Sequence, residues 1–175
     1  MFKRLLAATE LVDICDTPLL TSLRIAEQNN SKLSILHVLE SGTSNKRHVV
    51  KHFRTGEEIA ASIEYEETVK EEIRKSYAAI LESDVHYTIK VTTGFPWKEI
   101  LRLAKKDKTD LILLGPHTGR AQALGVVRVK GKIGSTVQGV IMHERCPVMI
   151  SNRSMPAGTL RFKKIVVGTD FSESC

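Results

Sequence analysis

Asp110-Leu-Ile-Leu-Leu114 is an apolar run too short for a helix of its own and lacking the polar alternation of a half-wetted strand. Such a run is satisfied as a strand buried on both faces, which demands a layer above it and a layer below. Phe2-Lys-Arg-Leu-Leu-Ala-Ala-Thr9 contains a second run of this kind. Ser31-Lys-Leu-Ser-Ile-Leu-His-Val-Leu39 and Pro147-Val-Met-Ile150 read as further strands, and His86-Tyr-Thr-Ile-Lys-Val-Thr-Thr93 alternates like one. Helix-period stretches separate them. Leu19 to Gln28 is the first. Gly56 to Ser83 reads as one long amphipathic helix, in which Ile59, Ile63, Val69, Ile73, Tyr77 and Ile80 keep roughly helical spacing. Its Glu66/Lys70 and Glu71/Lys75 pairs stand at i,i+4, and its charge run suits a solvated face. Pro96 at a first-turn position opens a helix through Ile100, Leu101, Leu103 and Ala104, and Gly134 to Glu144 reads as the last helix. Strands alternating with helices imply right-handed crossovers, hence an α/β fold with a doubly wound, five-stranded parallel sheet.

Residues 2–10, Phe-Lys-Arg-Leu-Leu-Ala-Ala-Thr-Glu, lie over residues 162–170, Phe-Lys-Lys-Ile-Val-Val-Gly-Thr-Asp, with chemical character or size kept at every substitution. The second copy begins just after the fifth strand, where a new domain would start. The expected organisation is therefore one domain over 1–152, a linker over 153–161, and the first strand of a second, truncated repeat over 162–175. A lone strand cannot bury itself, so the natural protein is expected to continue or the tail to borrow a partner. No apolar run approaches the roughly 20 residues a membrane helix needs, and Met1 to Leu6 carries no signal-like block, which points to the cytoplasm. Cys15, Cys146 and Cys175 are an odd set without Cys-x-x-Cys spacing, as reduced, buried or incidental thiols would be. The net charge of +6 leaves room for an anionic ligand or nucleic acid.

In a doubly wound sheet the ligand crevice lies at the carboxyl ends of the strands, where strand order reverses. That rule singles out Glu10, Val38 and Gly115. Gly115-Pro-His-Thr-Gly119 follows the fourth strand directly, and Gly134-Ser-Thr opens the last helix. Glycines let backbone approach a ligand, and a helix N-terminus offers N–H groups and partial positive charge to a phosphate. The same residues also suit a plain turn followed by a Ser135/Gln138 capping box.

Taken together, these segments resemble a universal stress protein. The residues that carry the likeness are the strands ending in Thr-Glu and Thr-Asp-Phe-Ser, Leu-Ser-Ile-Leu-His-Val, Asp-Leu-Ile-Leu-Leu-Gly, Gly134-Ser135 and Glu-Arg-Cys-Pro-Val-Met-Ile. The resemblance spans 2–152, and 162–175 looks like the start of a second such domain in a tandem protein. It implies an adenine nucleotide alpha hydrolase-like sheet of strand order 3-2-1-4-5 and a homodimer formed through the last strand. It also implies that ATP or AMP binds, with Mg2+ accompanying ATP, and that the protein acts through an unknown regulatory partner. By this resemblance Gly115, Gly119, Gly134, Ser135 and Thr136 hold phosphates and ribose, Glu10 takes the acidic position near the nucleoside, and Val38 presents backbone to adenine. Nucleotide-binding members carry Gly-x-x-Gly, a nine-residue spacer, then Gly-Ser or Gly-Thr. Here three residues separate Gly115 from Gly119, fourteen precede Gly134, and Glu10 stands in place of Asp. A dimeric scaffold of the same fold that binds no nucleotide is the alternative these departures leave open.

The inserted stretch Arg120 to Ile133 carries Arg120, Arg128, Lys130 and Lys132 with no acidic residue. It suits a loop folding over a triphosphate and equally a solvated excursion. Lys46 to Arg54 is a second basic stretch, but it lacks the interleaved aromatics of a single-strand platform, which disfavours nucleic acid. His48 and His52 lie at i,i+4 without a third ligand, and His37 reads as a satisfied core histidine. No P-loop lysine and no Gly-x-Ser-x-Gly elbow is present, so the expected role is non-enzymatic, with slow ATP hydrolysis as the upper limit.

Overall fold

The computed structural model describes residues 2–11, 16–41, 49–81, 84–115, 134–151 and 164–167. Along the chain run β1 (Arg4–Ala8), α1 (Asp16–Asn29), β2 (Lys32–Glu40), β3 (Val49–Lys51), β4 (Glu58–Ala60), α2 (Ile63–Ser76) and α3 (Ala78–Leu81). They are followed by β5 (Tyr87–Gly94), α4 (Pro96–Asp107), β6 (Leu111–Leu114), α5 (Ser135–His143) and β7 (Val148–Ile150). Five strands form one parallel sheet in the order β5-β2-β1-β6-β7, and β3 and β4 form a separate antiparallel hairpin. With the hairpin set aside, the order is the expected 3-2-1-4-5.

The all-apolar runs are explained by what each side of the sheet must meet. In β1, Leu5 and Ala7 face a core shared with α1 and α2, and Leu6 faces the opposite core against α4 and α5. In β6, Leu111 and Leu113 join the first core, and Ile112 and Leu114 join the second. Each fully buried side chain of this kind is worth roughly 1.5–3 kcal/mol of transfer free energy. A polar residue anywhere in these runs would sacrifice that term and strand a polar group in the core.

The expected helix over Gly56–Ser83 divides. Residues 58–60 pair with 49–51 as the hairpin, and the helix proper starts at Ile63. The cause is local. Gly56 has φ +75°, a turn conformation that favours glycine. Ser62 is extended and its side chain accepts the Tyr65 N–H at 3.1 Å, so it caps the first turn. Ile59 fits the helical spacing of Ile63 and Ile73 but belongs to β4, packed beside the first core. At the other end Tyr77 is the C-cap, and α3 follows as a single turn. The ion pairs that form on α2 are Lys70–Glu67 and Arg74–Glu71, at i,i+3 rather than i,i+4.

Within the basic stretch, Val50 and Phe53 are buried, and Tyr65 Oη accepts the Phe53 N–H at 3.0 Å. His52 Nδ1 accepts the N–H groups of Arg54 and Thr55, each at 3.2 Å, and so shapes the hairpin turn. Lys46, Arg47 and His48, the basic stretch 120–133 and most of the expected second repeat lie outside the described residues. Half-buried Cys146 has its thiol pushed up to about 11 by burial first, with the Glu144 and Asp110 carboxylates adding to it; Cys15 and Cys175 lie outside the described residues. Among the described residues no helix is long and apolar enough to cross a membrane.

Candidate functional site

Parallel pairing places the carboxyl ends of β1, β2 and β6 side by side, and a crevice opens there on the α4/α5 face. It encloses roughly 590 Å³ of empty space, part of it open solvent, which is within the range of small-molecule sites. Glu10 and Ala8 come from the end of β1, Val38 and Leu36 from β2, and Gly115 and Leu114 from β6. The fourth wall is the start of α5, with Gly134, Thr136 and Val137, and the start of α4 adds Pro96 and Ile100. Five of the residues singled out in the sequence, Glu10, Val38, Gly115, Gly134 and Thr136, therefore line one space although they are spread over more than a hundred positions of chain.

Ser135 and Gly119 stand differently. Ser135 is the first residue of α5, exposed and not among the lining residues. The capping box expected between Ser135 and Gln138 is absent. Gly134 is itself the N-cap, with no side-chain hydrogen bond to the first turn, and the Gln138 N–H donates to the Gly134 carbonyl at 2.9 Å. A glycine cap has no side-chain oxygen to offer, so the first-turn N–H groups are left for a ligand or solvent. Gly119 lies outside the described residues.

Leu36, Val38, Pro96 and Ile100 are among the apolar lining of the crevice. The N-terminus of α5, with Gly134 and Thr136 in the lining alongside Gly115, brings partial positive charge and N–H donors to it. Glu10 adds an acceptor for ligand hydroxyls.

Sequence inspection did not single out Thr9, which lies at the border between the crevice and the opposite core. Its N–H donates to the Leu36 carbonyl at 2.9 Å, its carbonyl accepts from His37 Nδ1 at 2.9 Å, and its hydroxyl lies 2.8 Å from Tyr77 Oη. His37 is buried, as the sequence suggested, and this bond fixes the tautomer that carries a proton on Nδ1.

A profile described as the universal stress protein family matches residues 1–152. This chain belongs to the universal stress protein family. Its relatives include the universal stress protein MJ0577 of Methanocaldococcus jannaschii, 22% identical over 162 residues, which are 87% of this chain and 96% of that one. The solved MJ0577 structure superposes with a TM-score of 0.58 at 18% identity, covering 88% of this chain and 98% of that chain. A universal stress protein from Archaeoglobus fulgidus in complex with dAMP gives a TM-score of 0.55 at 16% identity, over 86% and 98% of the two chains. Another from Archaeoglobus fulgidus DSM 4304 gives 0.56 at 20% identity over 87% of this chain, yet the match takes up 45% of that one. These likenesses establish the universal stress protein fold for the chain.

Proposed function

We propose that this universal stress protein domain binds an adenine nucleotide, ATP or AMP, in the crevice and works as a cytoplasmic regulatory or protective module through a protein partner. The observation that carries the reading is the meeting of Glu10, Val38, Gly115, Gly134 and Thr136 around one space, where the start of α5 has no side-chain cap. Adenine fits the apolar lining, ribose hydroxyls meet Glu10, and phosphates meet the α5 amides. The Archaeoglobus complex with dAMP supports the ligand class. Mg2+ would accompany ATP through its phosphate oxygens. The role is binding rather than turnover, with slow ATP hydrolysis as its limit.

Calorimetry with AMP and with ATP tests this directly. Saturable heat in the wild type, lost by tenfold or more in Gly134→Val, is the expected result, because a branched side chain would stand where phosphate approaches. No heat at millimolar nucleotide would overturn it and favour the dimeric scaffold. For assembly, we propose a homodimer through the free edge of β7, where Ile150 together with Met142 and Ile141 of α5 remains exposed. Ile150→Lys should return the protein to a monomer in light scattering. For domain organisation, we propose that 162–175 begins a second repeat, a reading supported by the match to residues 2–10 and by the longer Archaeoglobus chain.

A further inference from the structure

Thr9 directly follows β1, and it lines the crevice together with Glu10, while its hydroxyl reaches Tyr77, a member of the core on the other side of the sheet. Every polar group of Thr9 is engaged. Its N–H and carbonyl are held by Leu36 and His37 of β2, and its hydroxyl lies against Tyr77 Oη while accepting the Leu11 N–H at 3.3 Å. Thr9, His37 and Tyr77 are all buried. Leu11 has φ +57°, a left-handed conformation that a leucine adopts only when its surroundings hold it there. Glu10 is thus pinned between a fully bonded residue and a strained one. Tyr77 is also the C-cap of α2, with its N–H donating to the Ile73 carbonyl and its carbonyl accepting the Leu81 N–H.

We propose that the Thr9–Tyr77 hydroxyl pair positions Glu10 for the ligand, and thereby couples crevice occupancy to the end of α2 across the sheet. The inference rests on the nucleotide reading for its ligand but has its own structural readout. Thr9 and Tyr77 are positioning residues, acting through Glu10. Coupling is reciprocal by thermodynamic necessity, so a ligand held by Glu10 should in turn slow opening at the α2–α3 junction.

The test measures AMP affinity by calorimetry and amide exchange by NMR in the wild type, Tyr77→Phe, Thr9→Val, Thr9→Ser and the Tyr77→Phe/Thr9→Val double variant. Tyr77→Phe keeps the buried ring and removes one hydroxyl, so it stays folded even if Thr9→Val does not. Both single variants should weaken AMP about tenfold, Thr9→Ser should restore wild-type affinity, and the double variant should be no weaker than either single one. Without ligand, the Leu11 amide should exchange roughly tenfold faster in Tyr77→Phe and Thr9→Val and normally in Thr9→Ser. AMP should slow exchange at Leu81 in the wild type and leave it unchanged in Tyr77→Phe. Wild-type affinity in a folded Tyr77→Phe protein would overturn the positioning role. A wild type that binds no AMP would sink the nucleotide reading instead; the Leu11 exchange rates would then decide the hydroxyl pair on their own, unchanged rates overturning it.

Discussion

Residues 4–8 and 164–167 carry nearly the same message in sequence and meet opposite fates. Leu5, Leu6 and Ala7 are at most 1% exposed, whereas Ile165, Val166 and Val167, which align with them, are 77%, 95% and 82% exposed. The first segment is a strand held between β2 and β6, and the second has no strand partner among the described residues. An apolar run of this type is therefore a demand for neighbours rather than a strand by itself. Each backbone N–H and carbonyl needs a ladder, and each side chain needs a layer, and both come from elsewhere in the chain.

Hydrogen exchange should separate the two segments most widely. Amides of Leu5 to Ala8 should exchange at least about a thousandfold more slowly than those of Ile165 to Val167, because the former open only with the domain. Equal rates would show that 164–167 has found its own sheet in solution. Next in size, Leu6→Ala should lose about 2–5 kcal/mol in chemical denaturation, against about 0.5 kcal/mol or less for Val166→Ala. A large loss from the second substitution would break the comparison. Thiol labelling sharpens it further. The Cys146 thiol, pushed up to about 11 mainly by burial, is almost wholly protonated at pH 8. A Val166→Cys thiol, at a site that is 95% exposed, should label roughly a hundredfold faster at that pH. The gap should narrow as pH rises towards 11, since Cys146 then gains thiolate. The smallest effect is expected from ending the chain after Ser151, which should change stability by about 0.5 kcal/mol or less; a larger loss would mean that the tail supports the first domain.

β1 and β6 were legible because burial on both faces leaves little room for polar residues, β5 because its residues alternate, and α4 because Pro96 marks its first turn. The hairpin was not legible, since Ile59 satisfies a 3.6-residue period as well as it does a strand face. What decided between them was Gly56 turning the chain and Ser62 capping the helix about two turns later than the expected start at Gly56. In the crevice, Glu10, Val38, Gly115, Gly134 and Thr136 drew notice as strand ends and a helix start, positions that a parallel sheet brings to one edge. Ser135 looked like a cap or a ligand contact, yet a glycine holds the cap and Ser135 faces out. Thr9 was noticed only as part of the Thr-Glu strand end and gave no sign of its hydroxyl contact, which depends on Tyr77, a residue 68 positions away at the C-cap of α2.

From its amino acids alone the chain determined which segments must be buried on two sides, and with that the layered α/β architecture. Side-chain alternation within a strand is a local property and needs no knowledge of the rest. Tertiary structure alone decided which strands flank the β1 run and which hydroxyl meets Thr9 beside the crevice. Those outcomes depend on partners far apart in sequence, and a local pattern carries no record of who will stand opposite.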